Sequence, residues 1–317
     1  MNDVPEDRVP TTPRGKHQID ILGFPMDLGA DRRGVGMGPS ALRIAGIRRR
    51  LVDLGYQVRD LGDIPVEIPE SQTISNPRLK FLDEVVDKSG LLASAVLDSL
   101  DRGHFPLAMG GDHTVSIGSL AAQSAHCRAR GLRPGVLWID AHADMNDEQT
   151  TPSGNIHGMA LAVSLGFGEE RLTRLLGFSP KLEPEHAFLV GVRSIDQDER
   201  KLIRRAGLTV RTMADIDRRG AASVIEEILE SLTRDVDAIH VTLDVDAVDP
   251  SLAQGVGTPV AGGLTYREAH LIMETIAGCG KLSGLDVAEI NPTLDNRNRT
   301  AVLTAELVSS CLGKRIL

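Results

Sequence analysis

Short apolar runs alternate with longer stretches of helical period along nearly the whole chain, which restricts the fold to βαβ units around a parallel sheet. The runs Ile19–Gly23, Gln57–Leu61, Pro106–Met109, Gly135–Ile139, Ala187–Val190, Leu208–Arg211, Ala238–Leu243 and Lys281–Val287 read as eight strands. Amphipathic periods predict helices at Ser40–Leu54, Pro77–Leu100, Thr114–Arg130, His157–Leu165, Asp196–Ala206, Ala221–Leu232, Tyr266–Ala277 and Thr300–Leu312. Eight of each fit a TIM barrel or an open doubly wound sheet, and periodicity does not choose between them. In both, ligands collect at the carboxyl ends of the strands. No repeat, low-complexity tract or linker divides the chain, so residues 18–317 are expected to form one domain behind a flexible extension at 1–17.

The strand-end rule has visible content here. Gly110-Gly111-Asp112-His113, Asp140 to Asp144, Arg193 to Asp196, Asp244 to Asp246 and Glu289-Ile290-Asn291 each follow a predicted strand, so five strand ends converge on one mouth. Asp140, His142 and Asp144 alternate along the chain, and a straight strand would space them roughly 6.6 Å apart. That is too wide for a single ion to touch all three. Either the chain curls there or it serves two ions.

Composition narrows the class. A formal charge of −9 lacks the basic footprint of nonspecific nucleic-acid binding. Hydrophobic content of 41% with only 3% aromatics predicts a large core of mainly aliphatic packing. Cys127, Cys279 and Cys311 are widely spaced and form no CxxC pair, so no disulfide framework is expected. Met1–Gln18 has acidic residues and prolines but no apolar stretch of signal-peptide type, and no run of about 18 apolar residues could span a bilayer. A cytoplasmic protein with no membrane partner is the expectation.

Imidazole mixed with carboxylate oxygen suits Mn²⁺, Zn²⁺, Fe²⁺ or Co²⁺, and thiolate is absent from these motifs. His113, Asp140, His142, Asp144, Asp244 and Asp246 together can hold two divalent ions, with aspartates bridging and four negative charges balancing four positive ones. Two such ions ~3.5–4 Å apart can share a water and lower its pKa, which makes metal-assisted hydrolysis the expected reaction class. Each motif alone has a plainer reading: Asp-x-Asp as a turn or helix cap, Gly-Gly as a tight turn. Their joint occurrence after three separate strands favours metal.

GGDHT at 110–114, DAHAD at 140–144 and TLDVDAVDP at 242–250 resemble the three signatures of the ureohydrolases. SGNIHGMAL at 153–161, VGVRSID at 190–196, GTPVAGGLTYRE at 257–268, GLDVAEINP at 284–292 and PMDLGADRRGVGMGPSALR at 25–43 resemble the arginase branch, so the resemblance runs from about Ile19 to Leu312. It implies a three-layer α/β/α sandwich around an eight-stranded parallel sheet, not a barrel. It also implies two Mn²⁺ ions per chain, with Co²⁺ or Ni²⁺ as substitutes. One ion would take His113, Asp140, Asp144 and Asp244, the other His142, Asp140, Asp244 and Asp246, leaving Asp140 and Asp244 as bridges.

The implied reaction is hydrolysis of L-arginine to L-ornithine and urea, by attack of a metal-bridging hydroxide on the guanidinium carbon. His157, Glu289 and Asp144 are the expected catalytic residues. By the resemblance, His157 delivers a proton to the departing ornithine amine, a role that suits an imidazole. Glu289 can grip the planar guanidinium through paired charge-assisted hydrogen bonds. Asn146 and Ser153 match positions that bind the α-carboxylate, and Asp196 matches the position facing the α-amino group. A homotrimer or homohexamer is implied.

Thr114 and Thr242 depart from a more usual Ser and keep the hydroxyl. Gln254 replaces a common Pro, and Ser194 stands where some relatives are acidic. The competing readings are another ureohydrolase acting on agmatine or a guanidino acid, a catalytically inactive metal-binding regulatory protein, and a mononuclear zinc deacetylase-like hydrolase. The SGNIHG loop weighs against agmatine, and the six-ligand set weighs against a single zinc.

Overall fold

The computed structural model describes residues 17–315, so almost all of the expected N-terminal extension lies outside the described residues. Eight strands form one sheet: β1 (Gln18–Phe24), β2 (Gln57–Asp63), β3 (Phe105–Gly110), β4 (Pro134–Ile139), β5 (Ala187–Val192), β6 (Thr209–Thr212), β7 (Ala238–Asp244) and β8 (Leu282–Ala288). Their order is β2-β1-β3-β8-β7-β4-β5-β6, and every pairing is parallel. β2 and β6 are free edges, which decides the ambiguity against a barrel. β3, β5, β7 and β8 are buried along their whole length; β3 and β5 accordingly read as unbroken apolar runs, while β7 and β8 also bury polar side chains such as His240, Thr242, Ser283 and Asp286.

Helices cover both faces. On one lie α1 (Gly38–Ile44), α2 (Ile47–Asp53), α8 (Met213–Arg219), α9 (Ala221–Asp235), α10 (Tyr266–Ala277) and α11 (Arg299–Cys311), packed on Ile19, Ile21, Leu107, Leu137, Ile139, Val241 and Leu243. On the other lie α3 (Leu82–Asp101), α4 (Val115–Ala129), α5 (Ala160–Ser164), α6 (Glu170–Thr173) and α7 (Gln197–Ala206), packed on Leu22, Phe24, Ala108, Val136, Trp138 and Leu189. Strand residues alternate between the two cores, as the two-residue period of a pleated strand requires.

The helical expectations need four corrections, one of them the unexpected four-residue α6. Ser40–Leu54 is two helices, because Gly46 adopts a left-handed φ of 79° between α1 and α2. Pro77–Leu100 becomes helical only at Leu82; the segment before it is tied outward, with the Lys80 amide donating to the Gly154 carbonyl. α8 was not expected: Thr212 and Asp215 close a capping box at its start and Gly220 ends it.

The sheet order makes neighbours of β3, β8, β7, β4 and β5, the five strands whose carboxyl ends carry the polar clusters. Gly111 fastens the ends of β3 and β8 to each other and to the end of β1. Its amide donates to the Phe24 carbonyl at 2.7 Å, and its own carbonyl accepts from the Glu289 amide at 2.7 Å. A Cβ at this position would lie 1.8 Å from the Met26 carbonyl oxygen and within 2.9 Å of the Met26 amide nitrogen. Gly111→Ala should therefore cost ~1–3 kcal/mol, lowering the thermal midpoint by roughly 2–4 °C per kcal/mol. Gly90→Ala, inside α3 with its nearest atom 3.9 Å away, should raise it, by ~0.5–1 kcal/mol; thermal melts of both variants check the pair.

Candidate metal centre

β4 ends at Ile139, and the five residues that follow leave extended geometry. The His142 amide donates back to Asp140 Oδ1 at 2.7 Å, and Asp144 takes a positive φ of 50°. The chain thus curls, and the strand spacing of 6.6 Å does not apply. After β7, the Asp246 amide similarly donates to Asp244 Oδ1 at 2.8 Å. His113 arrives from the tight turn between β3 and α4.

All six expected ligands come together. His113 Nδ1 lies 3.1 Å from Asp140 Oδ2, 3.0 Å from Asp144 Oδ2 and 3.2 Å from Asp244 Oδ2. His142 Nδ1 lies 3.5 Å from Asp140 Oδ1 and 3.0 Å from Asp246 Oδ2. His113, Asp140 and Asp244 form one group that can hold an ion, and Asp140, His142 and Asp246 form a second. Asp140 offers one oxygen to each. His113 Nδ1 and Asp144 Oδ2 are buried and make no hydrogen bond despite their crowding. Donor atoms that converge without hydrogen-bonding geometry fit a cation placed between them.

A surrounding layer of hydrogen bonds aims these ligands. Trp138 donates its indole N–H to Asp140 Oδ2 at 2.8 Å and stacks on the His113 ring at 4.3 Å between centroids. His113 Nε2 pairs with Thr242 Oγ1 at 2.9 Å, which leaves Nδ1 facing the carboxylates. Thr258 Oγ1 donates to Asp246 Oδ2 at 2.8 Å, and the Ala141 amide donates to Asp246 Oδ1 at 3.1 Å. Thr242 and Thr114 both use their retained hydroxyls, the latter on Asp112 Oδ1. Gln254 is exposed.

Electrostatics reflect how closely the carboxylates and imidazoles are packed. Burial alone would raise the pKa of Asp140, but His113 and His142 outweigh it and hold the carboxyl below its usual range. Asp144, Asp244 and Asp246 move upward, first by burial and then by the neighbouring carboxylates. Burial opposes a proton on His142, yet Asp140 and Asp246 raise its pKa to about 12. Protons on the two histidines and on the upward-shifted carboxyls together offset the buried charge.

Beside the cluster is a cavity of about 190 Å³, into which His142, Asp144 and Asp244 project together with Asn146, His157, Ser194 and Asp196. Asn146 donates to Asp196 Oδ2 at 2.9 Å, while Asp196 Oδ1 caps α7. Asp196 therefore serves as a helix cap and as a cavity-lining carboxylate at once. Ser153 stands apart: it is exposed, and its hydroxyl accepts from the Asn155 amide at 3.2 Å. Glu289 is buried at a φ of 68°; its Oε1 accepts from the His113 amide at 3.1 Å and pairs with His157 Nδ1 at 2.9 Å. Its Oε2 is buried without a hydrogen-bond partner.

Three residues escaped the reading of the sequence. Glu199 lines the cavity, accepts from the Met145 amide at 3.0 Å, and is pushed by burial to a pKa of about 7. Its sequence signal was the Asp-x-x-Glu of a capping box at the start of α7. Thr258 sits in a glycine-bounded loop whose spacing reveals nothing about Asp246. Asp112, fully buried, accepts from the Gly29 amide at 2.8 Å, and Gly29 in turn accepts from the His157 amide at 3.1 Å.

Fold and site together define a metal-binding enzyme of the open α/β/α class. The Arginase family model matches residues 17–313. The chain is 49% identical to the arginase of Bacillus caldovelox over 300 residues, 94% of this chain and 99% of that one. The native structure of that Bacillus caldovelox enzyme matches with a TM-score of 0.91, covering 95% of this chain and 99% of the other. The arginase of Entamoeba histolytica, solved in complex with L-ornithine, matches at 0.87 with 30% identity, covering 94% of this chain and 99% of the other. The chain belongs to the arginase family.

Asp140→Ala should abolish high-affinity binding at both sites together, since each group shares this carboxylate; elemental analysis after gel filtration reads it. Metal uptake must also displace protons from His113 and His142, both held protonated through the neutral range, so affinity should fall with each step down in pH across that range, with proton release visible in weakly buffered titrations.

Proposed function

We propose that this chain hydrolyses L-arginine to L-ornithine and urea, using two Mn²⁺ ions held by His113, Asp140, His142, Asp144, Asp244 and Asp246. The observation that carries this reading is the shared cavity: carboxylate ligands, His157 and the Asn146–Asp196 pair line one small site, and Glu289 stands directly behind His157, paired with its Nδ1. Residues 18–317 form the catalytic unit, and a cytoplasmic homotrimer or homohexamer is part of the same proposal. No described helix is long and apolar enough to cross a membrane.

When bound, the two cations supply Lewis acidity and a water made acidic enough to serve as nucleophile near neutral pH. The chain's own groups do the rest. The free Oε2 of Glu289 is the acceptor that a guanidinium N–H requires, and Oε1 is already aligned by the His113 amide. This fixes the planar group and so contributes by proximity and orientation.

His157 holds the proton. Burial alone would strip it, but Glu289 outweighs burial and raises the imidazole to a pKa of about 9, so it is protonated at neutral pH. A guanidinium that docks on Glu289 neutralises the charge responsible, which loosens the proton for the leaving amine. Asn146 offers its amide and Asp196 its carboxylate to the amino-acid end of the substrate, with Ser153 on the exposed rim of the same loop.

Agmatine lacks the α-carboxylate and would leave polar groups of the site unpaired. With Mn²⁺, kcat/KM for urea release from L-arginine should exceed that from agmatine by ~10²-fold or more; equal or reversed rates would sink the assignment. His157→Asn should lower kcat by ~10²–10⁴-fold while both metals stay bound. In the metal-free chain the same substitution bears on stability. The contribution of His157 is full below its unfolded pKa near 6.5 and is lost as pH rises through about 9, so the wild-type advantage over His157→Asn in denaturant midpoint should shrink across that window.

A further inference from the structure

Arg193, in the strand-end cluster after β5, takes no part in the reaction described above, and among the described residues no carboxylate pairs with it. Its guanidinium is spent on backbone carbonyls. Nη2 donates to Asp246 O at 2.7 Å and Val260 O at 2.7 Å, Nη1 to Ala247 O at 3.1 Å and Gly191 O at 3.3 Å, and Nε to Val260 O at 3.2 Å. Its own amide donates to Ala141 O at 2.9 Å. One residue thus joins the turn after β4, the turn after β7 and the loop that carries Thr258. Gly263 leaves room for it: a Cβ there would lie 2.6 Å from Nη2.

These three segments have Asp246 in common. Arg193 holds its carbonyl, the Ala141 amide holds Oδ1, and the Thr258 hydroxyl holds Oδ2. Asp246 belongs with His142 to the second of the two metal groups. The first group is aimed by other means, the Trp138 stack and the Thr242 hydroxyl, and neither touches Arg193. We infer that Arg193 is a positioning residue for one ion of the pair, the one bound by His142 and Asp246, through the three segments it ties to Asp246. The inference rests on the reading that the cluster holds two divalent cations.

Lysine keeps the charge but replaces a planar five-donor fork with a point donor, so it cannot reach all four carbonyls. Titrating metal-free wild type, Arg193→Lys and Arg193→Gln with Mn²⁺ by calorimetry, with bound ions counted by elemental analysis, separates the outcomes. Wild type should take two ions. Both variants should keep one ion at wild-type affinity and bind the other ~10–100-fold more weakly, the usual loss when a supporting partner of a ligand is removed. Two wild-type sites in the variants would overturn the inference, and so would equal weakening of both sites, which is what general loosening of the fold produces. A wild type that takes up no Mn²⁺ would overturn the two-ion reading itself.

Discussion

Four carboxylates buried within reach of two imidazoles form the constraint on which the rest of this molecule depends. Moving that much like charge out of water costs far more than the aspartates can repay to one another. The structure shows the consequence in opposite directions: Asp140, between both imidazoles, is held ionised, while Asp144, Asp244 and Asp246 are pushed toward their neutral forms. Such a cluster is stable as a set of ligands and unstable as a set of charges. The layer of Trp138, Thr242 and Thr258 keeps the set in place while its charge balance changes.

The sheet order supplies the means of assembly. β8 lies between β3 and β7 although it is made last, so Glu289 emerges beside His113 and the two meet through a backbone amide. β4 lies next to β7 across a gap of about a hundred residues in sequence, which brings Asp140 to Asp244. No single segment contains the site. Each contributes one to three groups and a turn that aims them, and two of these turns need non-glycine residues in the left-handed region, Asp144 and Glu289. Backbone held there by its surroundings is a common mark of functional positions.

Much of this was legible in the sequence. All eight strands could be read, the central ones because buried parallel strands are rich in apolar residues and the exposed or half-buried edge strands β2 and β6 from the alternation of short runs with helical stretches, and the strand-end rule alone pointed to the five clusters. The open sheet could not be read from periodicity, since strand order is a long-range property; that part came from the resemblance. Nor could the curl that resolves the Asp140–His142–Asp144 spacing, because a positive φ at an aspartate has no sequence signal as strong as a glycine. Glu199 and Asp196 were harder for another reason: their capping-box pattern is satisfied by the helix, and their second role depends on which neighbours the fold brings to the free side of each carboxylate.

The tie between Lys80 and Gly154 has an evolutionary consequence. The loop that carries Ser153, between Asn146 and His157, is fastened to the segment before α3 by the Lys80 amide, by the Lys80 ammonium on Asn155 and by Arg78 on the carbonyls of Glu148 and Gln149. None of these groups touches a metal ligand. The lining residues Asn146 and His157 stand at the two ends of this fastened loop, so exchanges at residues 76–80 can alter how firmly the loop is held without replacing a ligand at the strand ends.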